Sequence, residues 1–423
     1  MGRYEAGDPL VRTLHPGAAM MARPELLLAL GCCLTLALAA GWARADEFDT
    51  VNFNAGTTFL HDTNLFRLPA GADPNVVLRA PTGADTLNVN SVGVKLSKPY
   101  SLQRFELGVD FVDYRYKTFT FLNFSAFNYD AAWRWSVTPR LHGNLTADRT
   151  ETLNTFADFR SFVRNVRTVQ NQRFDGEYEV DGVWRLLGGV SQVEAKNEQV
   201  FLAQQDYRQR NAEGGIKHVF GSGSSMSAVA RVGSGEFTKL AGPINASLFD
   251  NRFDQREVET RFFWAVSGKS TFDARLSYLE RRHPIFSQRD FSGLAGNASV
   301  NWGIGGKSRL VASVSRDLAS FIQASSSYTR LDKWSLGPVW SVSSKAVVRA
   351  RYEQSTRAFL GTVAVTPQND RQDKLRTLYV GADWQPRRWV TLSASLQNDK
   401  RTSNLAGFDF NSTTATLAAQ LTF

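Results

Sequence analysis

From about residue 50 onward the chain is written in short runs of alternating apolar and polar residues. Phe105, Leu107, Val109 and Phe111 share one parity, and Arg104, Glu106, Gly108 and Asp110 share the other. Val258, Phe262, Trp264 and Val266 stand opposite Glu257, Glu259 and Arg261. Val390, Leu392, Ala394 and Leu396 alternate with Thr391, Ser393, Ser395 and Gln397. A period of two marks β-strands with one apolar and one polar face. The joints between runs alternate in length. Short ones fall near residues 98–102, 137–140, 187–190, 220–224, 268–270, 303–307, 343–345 and 386–388. Longer ones fall near 62–84, 117–126, 153–170, 199–206, 239–252, 284–290, 319–327, 358–372 and 401–409. These joints predict about 18 strands, although 85–97 and 207–219 alternate poorly. The pattern is that of an all-β fold, a transmembrane antiparallel β-barrel with short periplasmic turns and longer extracellular loops.

A repeat supports the same architecture. Trp264-Ala265-Val266-Ser267-Gly268-Lys269-Ser270 is echoed by Trp302–Ser308 and by Trp340–Ala346, at intervals of 38 residues. Each copy reads as a tight Gly/Ser turn between two strands. Trp133, Trp135, Trp184 and Trp384 also precede predicted turns, and Trp389 follows one. Indole prefers the headgroup level, so these eight tryptophans read as a periplasmic aromatic belt. A soluble propeller also repeats near 40 residues, but with shorter strands and more frequent turns.

The two ends of the chain agree with export to a membrane. Ala415, Leu417, Ala419, Leu421 and Phe423 make an apolar face on a final strand, and Phe423 reads as a C-terminal assembly signal. At the front, Arg23 precedes an apolar run from Leu26 to Ala40, followed by Ala43-Arg44-Ala45. Residues 1–45 read as an upstream extension and a cleaved signal peptide, with the true start at Met20 or Met21. Residues 46–423 then form a single barrel domain. A membrane anchor or a lipoprotein acylated at Cys32 are the alternatives for this segment. The run is short for a bilayer span, and Ala29-Leu30 suits lipid attachment poorly.

Composition narrows the chemistry. Aromatic residues make up 12% of the chain, yet mean hydropathy is negative. A barrel that is apolar outside and polar inside has this mixture. No later apolar run reaches the ~18 residues of a membrane helix. Both cysteines, Cys32 and Cys33, fall in the segment read as removed, which leaves no thiol chemistry. The net charge of +9 is spread over 423 residues without the basic cluster that nucleic acid requires. His61, His142, His218 and His283 show no metal-ligand spacing. Gly306-Lys307-Ser308 resembles the end of a phosphate loop, but Asn301 stands where the first glycine belongs. No catalytic residue, metal or cofactor is expected.

The polar parity nominates the lumen. Asp175, Glu177, Glu179 and Asp181 form an acidic ladder. Asp273, Arg275 and Arg281 line a second run, and Arg349, Arg351 and Glu353 a third. A barrel of this size leaves water inside, and such charges can tune which solutes pass.

The first long joint opens on Asp62-Thr63-Asn64-Leu65-Phe66-Arg67-Leu68-Pro69. This octapeptide resembles the signature of the EpsL-like family, outer-membrane barrels of exosortase-associated exopolysaccharide biosynthesis clusters. Asp62, Asn64, Leu65, Phe66, Arg67, Leu68 and Pro69 carry the match. The resemblance implies a conduit for exopolysaccharide export, with exopolysaccharide and periplasmic export proteins as partners. The alternatives are a general diffusion porin for small polar solutes and a surface scaffold or adhesin with a blocked lumen. On every reading the location is the bacterial outer membrane, and the partners include its lipid and the barrel assembly machinery. Loop 62–84 is apolar for a surface loop, which predicts that it folds back to narrow the pore.

Overall fold

The computed structural model describes residues 50–157, 162–199, 206–238, 251–323, 326–361 and 370–423. The signal-peptide reading of residues 1–45 lies outside them. The described chain forms one 18-stranded antiparallel sheet that closes on itself. The strands are β1 (Val51–Asp62), β2 (Asp85–Tyr100), β3 (Gln103–Tyr116), β4 (Phe124–Thr138), β5 (Leu141–Leu153) and β6 (Val166–Glu179). They continue as β7 (Trp184–Asn197), β8 (Tyr207–Val219), β9 (Ser225–Phe237), β10 (Arg252–Ser267), β11 (Ser270–Arg282) and β12 (Phe291–Gly303). The last are β13 (Ser308–Gln323), β14 (Ser326–Ser343), β15 (Ala346–Leu360), β16 (Gln372–Arg387), β17 (Val390–Ser403) and β18 (Phe410–Thr422).

Every strand pairs with its neighbours in sequence, and β18 closes on β1 from Asn54↔Thr422 to Asp62↔Thr414. Phe423 exchanges two backbone hydrogen bonds with Phe53, at 2.7 and 2.8 Å, and its ring stacks on Trp389 at 5.8 Å. Closure leaves no edge strand among the described residues.

The parity reading holds along the wall. Large apolar side chains stand exposed on the outward face of strand after strand: Phe105, Leu107, Val190, Val232, Val258, Leu276, Leu378 and Leu396 among them. Trp133, Trp184, Trp264, Trp302, Trp340, Trp384 and Trp389 are exposed at the end that carries the short turns. Trp135 instead lies against the wall over Gly143 and Gly176, where an added Cβ would meet its ring, and it stacks on Phe174 at 5.5 Å. An apolar band bordered by indoles is the surface a barrel offers to lipid.

Two joints differ from the sequence reading. Residues 187–190 lie within β7, and the turn is at 180–183. Gly188-Gly189 suggested a bend, but Gly189 serves close packing: a Cβ there would approach Asp175 and Glu213 at 3.2 and 3.3 Å. Trp184 therefore opens a strand instead of preceding a turn. Asp181 leaves the predicted lumen ladder and becomes a turn residue. Its carboxylate accepts from the Val183 and Trp184 N–H groups at 2.9 and 2.6 Å. These two bonds hold its carboxyl below the usual Asp range. The joint at 319–327 is shorter than predicted, because β13 runs to Gln323 and β14 starts at Ser326. Strands β2 and β8 cover the two weakly alternating segments.

Candidate functional site

One arc of the inner wall carries a lattice of ion pairs in two adjoining networks. Inward positions recur every second residue, so charges on neighbouring strands meet across the ladder. On β6, Glu177 accepts from Arg185 of β7 at 2.8 Å and from Lys217 of β8 at 3.0 Å. Glu179 lies 3.5 Å from Arg185. Arg173 binds Asp175 at 2.9 Å and also Glu213 of β8. Glu213 accepts in turn from Arg231 of β9 at 2.7 Å. Arg231 reaches Glu257 of β10 at 2.7 Å and Glu259 at 4.0 Å. Glu259, only 1% exposed, also meets Arg261, and Arg275 of β11 at 3.5 Å. The lattice thus crosses six strands, and it borders a recess of about 480 Å³ that Asp273 and Asn297 also line.

The sequence-predicted lumen residues divide accordingly. Asp175, Glu177, Glu179 and Arg275 belong to the lattice, and Asp273 lines its recess. Arg281 stands apart, nearer the loops. Its guanidinium lies 3.9 Å over Phe253 and 5.5 Å from the Phe291 centroid, and it donates to Gln255 and Ser320. Arg349 pairs with Asp383, which also accepts from Ser393 at 2.7 Å. Arg351 lies 5.7 Å from the Tyr379 ring centroid, and Glu353 shares its inward parity opposite Thr377. Hydroxyls also bond across the wall there: Ser313 with Ser335 at 2.8 Å, and Thr377 donating to the Asp399 carboxylate at 2.6 Å. Arg173, Arg185, Glu213, Lys217 and Arg231 were not singled out in the sequence. Their inward parity on β6–β9 was the available signal; the turn placed at 187–190 broke it on β7, and weak alternation over 207–219 hid it on β8.

The second feature is a folded cap built from three loops. Asp62 ends β1 with its carboxylate 4% exposed. It accepts from Asn64 N–H at 2.9 Å, from Arg67 at 2.8 and 3.0 Å, and from the Ser412 hydroxyl. These bonds hold Arg67 at φ +56°, a left-handed conformation that side chains seldom adopt. The Asn64 amide clamps Leu68 in both directions, donating to its carbonyl at 2.9 Å and accepting from its N–H at 2.8 Å. The turn drives Phe66 into a core with Leu68, Tyr116, Phe119, Leu122 and Phe156, with Leu65 packed beside them. Ring centroids lie 4.6 Å from Phe66 for Phe119 and 4.5 Å for Phe156. Pro69 accepts from the Ala72 N–H at the following bend. Asp85 fastens the second loop by accepting from Thr118 and Phe119 N–H at 2.8 Å each.

The cap sits on the inner face. Leu87, Tyr114 and Tyr116 pack against it, and the two tyrosines share the inward parity of Glu106 and Asp110. A stack of arginines and rings continues round the mouth. Arg371 lies 4.3 Å over Phe359 and 3.7 Å over Phe408, beside Asp373. Arg401 lies 4.7 Å over Phe410 and donates to the Ala157 carbonyl at 2.6 Å, joining β17 to the third loop. Arg164, in the same loop, grips Glu198 beyond β7. Its hydrogen bonds hold the Glu198 carboxyl below the usual Glu range.

A family model described as "Putative beta-barrel porin 2" matches residues 264–423. A search of curated proteins gives no match. Among solved structures, the Pseudomonas aeruginosa outer membrane protein OpdK superposes with a TM-score of 0.51 at 10% identity, over 88% of this chain and 99% of that one. P. aeruginosa OccK2 (OpdF), solved in complex with glucuronate, gives 0.51 at 12% identity, over 88% and 98%. A BenF-like porin from Pseudomonas fluorescens Pf-5 gives 0.50 at 10% identity, over 88% and 98%. At such identities the likeness is one of fold.

Proposed function

We propose that the chain is an outer-membrane channel for the diffusion of small polar solutes. The observation that carries this is the six-strand lattice of charges inside a closed wall whose outer face is apolar. Charges in a water-filled lumen select solutes by sign and size. Because these charges are held mostly by one another, the wall keeps its shape while water and solute pass. The folded cap narrows the mouth on the side of β1–β5. Processing after Ala45 would deliver residues 46–423, and the assembly machinery would insert them.

The comparisons support diffusion over exopolysaccharide export. Asp62, Asn64, Phe66, Arg67 and Leu68 of the octapeptide that suggested export are accounted for in folding the first loop. Planar-bilayer recordings of the folded, purified protein test the proposal. Discrete conductance steps, reduced by added glucuronate as a small carboxylate probe, are expected. A folded protein that gives no steps would overturn it.

A further inference from the structure

The outer face of β13–β17 carries a basic patch at the loop end. Arg316, Arg330, Lys374, Arg376 and Lys400 take the outward parity of these strands, which Val314, Leu378 and Leu396 also share. Among the described residues, Asp332 is the sole carboxylate with them on that parity, and it is taken up by Arg316 and Arg330. Arg376 stands directly opposite Lys400 in the ladder, and Lys374 lies one outward step closer to the loops, opposite Thr402. Among the described residues none of these three has an ion-pair or hydrogen-bond partner. Like charges directly opposite on neighbouring strands destabilise a sheet unless an anion lies between them.

The outward charges on β7, β8 and β11 are arranged differently. There Glu194 holds Lys196 and Arg208, and Glu280 holds Arg282. The basic patch is also bordered by a second aromatic pair. Trp334 lies in the same ladder row as Arg376, through Gln354, and packs against Tyr352 at 5.3 Å. Trp and Tyr favour the headgroup level. Directly below come Leu336, Leu378 and Val380, all exposed.

We propose that this face binds the phosphate of a lipid headgroup in the loop-side leaflet, with Lys374, Arg376 and Lys400 as its ligands. The proposal rests on the membrane reading of the barrel but not on its lumen. Continuity between the cations and the apolar band favours a lipid over a soluble partner: acyl chains lie along the band while phosphate meets the cations.

Native mass spectrometry of the detergent-purified barrel tests this with two probes, diphosphorylated lipid A and its dephosphorylated form. The wild type should retain the phosphorylated form in preference. Lys374→Gln/Arg376→Gln/Lys400→Gln should weaken that binding on the order of a hundred-fold. Lys374→Arg/Lys400→Arg keeps the charge and should preserve binding, which separates charge loss from misfolding. Equal retention of both lipids by the wild type, or equal binding by the triple variant, would overturn the proposal. Inorganic phosphate that displaced the lipid at matched concentration would overturn it too, by revealing an anion site without lipid preference. Single-channel conductance should be unchanged in the triple variant. Lipid discrimination in a protein that conducts nothing would reject the channel reading alone.

Discussion

Two parts of the inner surface solve opposite problems. The arc from β6 to β11 must stay in place while wet. The cap over β1–β5 must stay folded within the barrel mouth. The arc uses charge against charge: each carboxylate of Glu177, Glu213 and Glu259 holds at least two cations. The cap uses burial: Phe66 is 1% exposed and Leu122 is fully buried. Ion pairs in a wet lumen are individually weak, and their strength lies in the network. Apolar packing excludes water altogether and so blocks cross-section. On the proposed channel reading, the difference places the solute path beside the lattice, not through the cap.

The largest expected effect comes from emptying the cap. Phe66→Ala should cost that local core about 3–5 kcal/mol and raise single-channel conductance. Replacing residues 66–82 with a short Gly/Ser bridge should raise it further. Unchanged conductance in both would remove the cap from the permeation path.

Next is the parity on which both regions depend. Leu396→Arg places a charge in the outward apolar band, where the penalty near mid-bilayer is about 2–4 kcal/mol. Gln397→Arg points inward and should be tolerated. Leu392, opposite Trp384 at the belt, is a weaker test position. Equal urea midpoints for the Leu396 and Gln397 variants would contradict the inside–outside assignment.

Glu213→Gln should cost about 1–3 kcal/mol, since it leaves Arg173 and Arg231 short of a shared partner. It should also shift reversal potentials toward anion preference. If only stability changed, the lattice would be a scaffold without a part in selection.

The smallest effect is a pH response at the edge of the cap. Glu198 is held below its ordinary value chiefly by its hydrogen bond to Arg164. Such a carboxyl stabilises the folded loop above about pH 4.3 and loses that contribution as pH falls through its lowered value. Pepsin cleavage near Arg164 should therefore rise in that acid window in the wild type. Glu198→Gln should cleave readily without this pH step, and a step retained in the variant would assign it to another group.

Much of this was legible in the sequence. Eighteen strands, the outward parity and a row of exposed tryptophans at the short-turn end followed from period two and turn residues. The failures have local causes. Gly188-Gly189 looks like a turn in one dimension, but Gly189 makes room for carboxylates on β6 and β8 that only the register brings near. Asp181 continued the spacing of the β6 acids, yet the strand ends before it. The lattice itself was hidden because Arg173 and Glu213 meet across β7, a distance in sequence that no local pattern encodes. Loop 62–84 was visible as apolar surface needing cover. That the cover would come from Phe119 and Phe156, in two other loops, depends on the wall that carries them.

The seam between β1 and β18 has a consequence in time. Every other strand pair joins neighbours in sequence and can form as a hairpin while the chain is incomplete. The Phe53–Phe423 pair joins β1 to β18, the two most distant strands of the described chain, so it forms only once β18 is present. Until then the sheet has open edges whose backbone groups are unpaired, and on the proposed membrane reading lipid would not satisfy them. Closure is the one long-range step in an otherwise local assembly, and such contacts set the pace of folding. The β18 strand is therefore a checkpoint: a chain that lacks it would hold an unclosed sheet.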